Sequence, residues 1–195
     1  MKVAQERCRL YGIKEVEFKC VNATDMKHAT SEKFDFVIFS ASMEHMTYNE
    51  RLRAIKASYD LIKENGYVVV AETPNRLWYR DSHTGLECFF HWLPDEAAMD
   101  YAKFIPREHF NSEFEKRSGE SLISFARWGR GVSFHEFVIA LGDAKKVKVA
   151  SSMQSFFGFP EHQYKQLIKK VGPPNIDDGF YDEYLYIALV NPMMD

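Results

Sequence analysis

The sequence predicts an α/β fold built on a mostly parallel sheet, and three segments carry that prediction. Two are apolar runs of strand length, "FDFVIFSA" (34–41) and "YVVVAE" (67–72), of the kind buried on both faces of a parallel sheet. The third lies between them. Thr47 and Glu50 make a T-x-x-E capping box, and Leu52, Ile55, Tyr59 and Ile62 form one apolar stripe that Asn65-Gly66 ends. Strand, helix and strand with short links make a βαβ unit, which sets the two strands side by side.

The remaining elements follow the same signals. Residues 1–11 read as a helix with Ala4, Cys8 and Tyr11 on one stripe and Gly12 as its stop. "VEFKCV" (16–21) alternates and reads as a strand, and "NATDMKHATSEK" as a polar connection. Pro94 opens a helix through Lys103, with Asp95 and Glu96 in its first turn. "VSFHEFVIAL" (132–141) alternates like a strand, "AKKVKV" (144–149) reads as a solvated strand or turn edge, 160–172 as an amphipathic helix, and "YLYIALV" (184–190) as a last strand. Strands 132–141 and 184–190 are expected to complete one edge of the sheet, with an antiparallel member.

A chain of 195 residues suits one domain. The expected divisions are a core over 1–76, an insertion over 77–131, and C-terminal strands and helix over 132–195. The net charge of -3 gives no electrostatic reason to expect nucleic acid. Cys8, Cys20 and Cys88 show no pairing pattern and read as reduced, buried thiols. No apolar run is long enough to span a membrane and the N-terminus is charged throughout, so the expected location is cytoplasmic.

The first apolar run ends in Ser40, Ala41 and Ser42, then meets Glu44 and His45. In open parallel α/β sheets, ligands bind outside the carboxyl ends of the strands. Small residues there let a ligand approach the backbone, and the acid and imidazole stand ready for a polar group. A solvent-facing helix entry explains the same residues equally well.

"FDFVIFSASMEHM" resembles the fourth-strand segment of class I S-adenosylmethionine-dependent methyltransferases, particularly the ubiquinone-biosynthesis-like "type 11" group. "VNATDM" (21–26) resembles the segment ending that family's third strand, and "NGYVVVAETPNR" (65–76) its fifth strand. The three occur in family order. The resemblance implies a Rossmann-like sheet, S-adenosyl-L-methionine as cofactor, and a helical, aromatic insertion after the fifth family strand. It puts Asn22 and Ala23 at the adenine, with the Asn22 carbonyl accepting from the adenine amino group. Ser40 takes a cofactor-contacting position, and Glu44 and His45 the side that faces the methyl acceptor.

The family's glycine-rich loop and the acid ending its second strand have no counterpart in these residues. The chain is therefore expected to be N-terminally truncated relative to the family, or else to use a contracted sheet. The missing strands would flank 34–41, so that edge is expected to be covered by a second copy, by a partner chain, or by 16–21.

"RLWYRDSHTGLECFFHWLP" (76–94) lies where such enzymes place acceptor-binding insertions. Tyr79, Phe89, Phe90 and Trp92 are candidates to line a pocket, and Asp81 to bind the acceptor. His45, His83 and His91 are the candidate bases, because an imidazole titrates near neutrality. Asp81, His83 and His91 are also ligand types, but their spacing is not diagnostic of a metal, so no metal site is predicted. The expected reaction is methyl transfer to a small-molecule, lipid or sugar acceptor. The alternatives are a non-catalytic relative acting as a binding or partner domain, and an α/β nucleotide-binding domain.

Overall fold

A computed structural model describes residues 1–105, 107, 119–153, 163–172 and 176–191. Four strands form one sheet in the order β1-β2-β4-β3: β1 Phe34–Ser40, β2 Ile62–Pro74, β3 Lys148–Ser152 and β4 Tyr184–Val190. The β1–β2 pair is parallel, as the βαβ reading requires, with Phe39 opposite Val70. The pairs β2–β4 and β4–β3 are antiparallel. The α/β class therefore holds, with its parallel part confined to the first two strands. β4 is an inner strand, not part of an edge, because β3 covers its outer side.

The helices are α1 Lys2–Leu10, α2 Met26–Ala29, α3 Tyr48–Leu61, α4 Asp95–Tyr101, α5 Gly119–Ala126, α6 Phe134–Leu141 and α7 Gln163–Val171. α3 begins where its capping box says. Thr47 Oγ1 accepts from the Glu50 N–H, and the Glu50 carboxylate accepts from the Thr47 N–H. It stops at Leu61, not at Asn65-Gly66. Those two residues lie inside β2, where Asn65 takes a left-handed φ of 57° and the register against β1 shifts.

Several expected elements are different in the fold. Residues 132–141 are not a strand. "FHEFVIAL" also puts Phe134, Phe137, Val138 and Leu141 at helical spacing, and a Ser133–Glu136 capping box starts α6 there. Residues 16–21 form no strand and leave Val16 and Val21 exposed, so they do not pair with β1. The polar connection after them contains a 3-10 turn, Ala23–Asp25, and α2. Cys8, Cys20 and Cys88 are free thiols as expected, but Cys20 and Cys88 are exposed. Residues 144–149 bear out their reading, as a 3-10 turn running into the solvated strand β3. Residues 160–162, at the start of the expected last helix, lie outside the described residues.

The main core lies on one face of the sheet. Phe39, Val68, Val70, Leu185, Ile187 and Leu189 meet Ala54 and Ile55 of α3 and Phe134 and Phe137 of α6. A buried ion pair between Arg51 and Glu136 ties the two helices together. The other face is less covered, contrary to the expectation for 34–41. Phe36 is 57% and Ile38 64% exposed, because no described element packs over that side of β1. A second cluster, with Phe90, Met99, Ile105 and Phe125 at its centre, holds the insertion together. Arg130 is buried against it, between the Phe90 and Phe125 rings, and donates to the carbonyls of Phe90, His91 and Leu93. Burial pulls its guanidinium down to about 10. No helix among the described residues is long and apolar enough to cross a membrane.

Candidate functional site

β1 and β2 both end at the same edge of the sheet, and the polar residues collect there. After Ser40 the chain turns through Ala41, at a left-handed φ of 44°, into a 3-10 turn over Met43–His45. Met43 anchors that turn in the core. Glu44 is then carried inward and His45 outward. Glu44 is 1% exposed, and its Oε2 accepts from Thr73 Oγ1 at 3.5 Å. Burial raises its carboxyl above the ordinary carboxylate range.

The His45 side chain is 48% exposed, and its Nε2 lies 3.7 Å from Glu44 Oε1. Its Nδ1 is 2.8 Å from the Arg127 carbonyl oxygen. A carbonyl can only accept, so Nδ1 carries a proton, and in the neutral imidazole the lone pair is on Nε2. Arg127 is fixed in turn by Glu50, at 2.7 Å, and by the His45 carbonyl. His83 comes from the insertion and sets its ring 5.6 Å from that of His45, tilted by 58°. Burial and the neighbouring His45 hold His83 below the usual imidazole range.

His91 does not join this pair. It is buried, with Nε2 3.1 Å from Asp81 Oδ1 and Nδ1 3.4 Å from the Gly131 N–H. Both ring nitrogens are engaged within the protein. Asp81 is likewise turned inward, accepting from the N–H groups of His83, Thr84 and Gly85. Burial alone would raise Asp81. The His91 hydrogen bond and charge, with the Gly85 and Thr84 N–H groups, outweigh that and hold it at about 2. Asp81 thus builds the turn that displays His83.

Of the aromatic candidates, Phe90 belongs to the second core. Tyr79, Phe89 and Trp92 form a chain of ring contacts at 6.4 and 4.8 Å, with Phe89 and Trp92 half-exposed. They make an aromatic ridge, not an enclosed pocket. Thr73, Arg127 and Tyr184 belong to the site and were not among the candidates. Tyr184 accepts from Ser82 Oγ at 3.3 Å, and burial raises its phenol, with charge from Asp81 and Glu44 adding to the effect. Thr73 could have been suspected, since it stands at the carboxyl end of β2. No local signal marks Arg127. A separate cleft lined by Lys33, Lys56, Lys63, Lys145, Lys146 and Lys148 lies at the opposite end of β1 and β2.

The polar groups cluster beyond the carboxyl ends of a parallel βαβ pair, the place where ligands bind in open α/β sheets. Residues 1–70 match the model of a family described as a methyltransferase domain. Over that stretch the chain is similar to methyltransferase domains, a family whose members typically use S-adenosylmethionine. The match includes Asn22, Ala23, Ser40, Glu44 and His45, and does not single out the ubiquinone-biosynthesis group. A search of the curated proteins finds no match.

Among the residues expected at the adenine, Asn22 keeps a donor but not the acceptor expected of it. Asn22 Oδ1 accepts from both the Thr24 N–H and the Thr24 hydroxyl, each at 3.0 Å. Its carbonyl is therefore spent. The exposed Asn22 amide N–H₂ is left to donate, which suits a ring nitrogen of adenine better than its amino group. Ser40 is exposed, with its hydroxyl 3.5 Å from Glu72 Oε2.

Proposed function

We propose that this protein transfers a methyl group from S-adenosylmethionine to a hydroxyl of a small-molecule, lipid or sugar acceptor. The observation that carries the proposal is the His45 tautomer. Its Nδ1 is committed to the Arg127 carbonyl, and its Nε2 lies 3.7 Å from Glu44 Oε1 on a side chain that is 48% exposed. Such a nitrogen takes the proton that an acceptor hydroxyl must lose as its oxygen gains the methyl group. The cofactor, when bound, supplies the sulfonium methyl and leaves as the neutral thioether.

Asn22, Ala23 and Ser40 would hold the adenine end. Glu44 is buried beside Nε2, with Oε1 at 3.7 Å, and so helps to set the orientation of the ring. His83 is the second imidazole within reach of an acceptor. Asp81 acts through His83, and His91 acts through Asp81, so both position the site and do not take the proton. The half-exposed rings of Phe89 and Trp92, with Tyr79 behind them, offer faces against which a sugar or an acyl chain can lie. A sugar acceptor also suits the hydroxyls of Ser82 and Tyr184 beside the site.

The test is transfer of an isotope-labelled methyl group from S-adenosylmethionine to panels of glycans, lipid-linked sugars and small hydroxylated compounds, with cofactor binding measured by calorimetry. Labelled product from one panel is the expected result. Cofactor binding with no transfer to any acceptor would favour the binding-domain alternative.

A further inference from the structure

Glu44, His45 and His83 come from two separate stretches of chain, yet each puts one ligand-type atom within 4.8 Å of the other two. We propose that this trio binds a divalent transition cation, with zinc as the reference ion. Two imidazoles and one carboxylate are a donor set that borderline metals accept, and three protein ligands leave room for a water or substrate oxygen. The spacing suits such an ion. Bonds of about 2.1 Å in a tetrahedral site set neighbouring ligand atoms about 3.4 Å apart. His45 Nε2 stands 3.7 Å from Glu44 Oε1.

Each ligand is prepared in its own way. The Nδ1–H of His45 bonds a backbone carbonyl, the outer contact that orients a metal-binding imidazole and leaves the other nitrogen free. Glu44 is buried, and its carboxylate meets the Thr73 hydroxyl at 3.5 Å and His45 Nε2 at 3.7 Å. A carboxylate in that position lacks the close positive charge that buried acids ordinarily have. Nδ1 of His83 is buried and has no hydrogen-bond partner.

The His83 ring is held by backbone. It lies against Gly129, where a Cβ would fall 2.2 Å from that same nitrogen. Thr84 Oγ1 donates to the Gly129 carbonyl, and Arg107 donates to the carbonyls of His83 and Thr84. One segment, 127–129, therefore seats both imidazoles. A metal on His45 Nε2 occupies the lone pair that would otherwise take the acceptor's proton, so with the cation bound another base would have to take it. Cation binding itself does not depend on the methyl-transfer reading.

The experiment titrates protein freed of metal by a chelator, using Zn²⁺ with calorimetry and Co²⁺ with visible absorption. The expected result is one equivalent bound, with the ligand-field bands of a low-coordinate cobalt site. His83→Ala and Glu44→Gln should each weaken binding by more than the roughly 10–100-fold that loss of an outer contact costs. Gly129→Ala, which displaces the His83 ring without removing a ligand, should weaken it too. Replacing the exposed His135 by Ala should leave it unchanged. No stoichiometric binding at millimolar metal, or equal affinity in the His83 and Glu44 variants, overturns the proposal. Cation binding without methyl transfer keeps this proposal and ends the functional reading. Methyl transfer without cation binding does the reverse.

Discussion

His45 donates its Nδ1–H to the backbone carbonyl of Arg127 at 2.8 Å, across 82 residues of sequence. That single bond sets which nitrogen of the candidate base carries the lone pair. It also joins the strand-end turn to the insertion, because Arg127 is held by Glu50 at the start of α3. Replacing a general base typically lowers rate by about 10²–10⁴-fold with little change in fold. In an active preparation, His45→Ala should do the same while the melting temperature stays nearly constant. Retained turnover with a lowered melting temperature would make the imidazole structural and move the base to His83.

Asp81 should behave differently, as a builder of the turn. It accepts three backbone N–H bonds and one from His91 while fully buried. Hydrogen bonds to a charged group contribute roughly 1.5–3 kcal/mol each, and orphaned buried donors cost more. Asp81→Ala is expected to lose at least about 3 kcal/mol in urea unfolding. A loss below about 1 kcal/mol would mean that the turn forms without it.

The Arg51–Glu136 pair is buried at the contact of α3 and α6. Removing one partner leaves an uncompensated charge in the core, at a cost of about 3–5 kcal/mol. Arg51→Met should show that loss in denaturant titration. The double variant Arg51→Met with Glu136→Gln should recover much of it, and additivity of the two single losses would refute the coupling.

Glu50 gives a pH dependence with a definite sign. The Thr47 backbone N–H, with Arg127 and the Thr47 hydroxyl, outweighs burial and lowers its carboxyl from 4.5. The folded state therefore favours the ionised form. The resulting stability is fully present above about pH 4.5 and is lost as pH falls through the lower folded value. Thermal unfolding of wild type and Glu50→Gln across pH 2–7 should show a gap at neutral pH that closes in acid. A gap that does not change with pH would rule the carboxylate out as its source.

The open side of β1 leads to a proposal about assembly. Phe36 and Ile38 are exposed and, among the described residues, no strand lies beside the outer edge of β1, an arrangement that invites a second chain. The 195-residue chain should elute as a dimer or larger species in a concentration-dependent way. Ile38→Lys should shift it towards monomer, since edge charges block strand pairing. A sharp monomer peak at every concentration would count against the idea.

The sequence alone carried those features whose cause lies within a few residues. The α3 capping box, the apolar runs of β1 and β2 and their parallel pairing were legible because a cap, a periodicity and a short link each act locally. Where two periodicities fitted the same letters, the reading failed. Residues 132–141 satisfy both, and the core contacts of Phe134 and Phe137 with Phe180 selected the helix. Residues 16–21 alternate correctly but do not add to the open edge of β1, so a sound local pattern produced no strand.

The site divides along the same line. Glu44 and His45 could be placed at a strand end from sequence, and so could the polarity of 76–94. Which imidazole meets His45 could not. His83 and His91 are equivalent as letters in one loop. The fold separates them by giving His91 to Asp81 and Gly131 and leaving His83 against Gly129. That choice depends on where segment 127–131 returns to the sheet. It is a matter of packing between distant parts of the chain, and only the tertiary structure decides it.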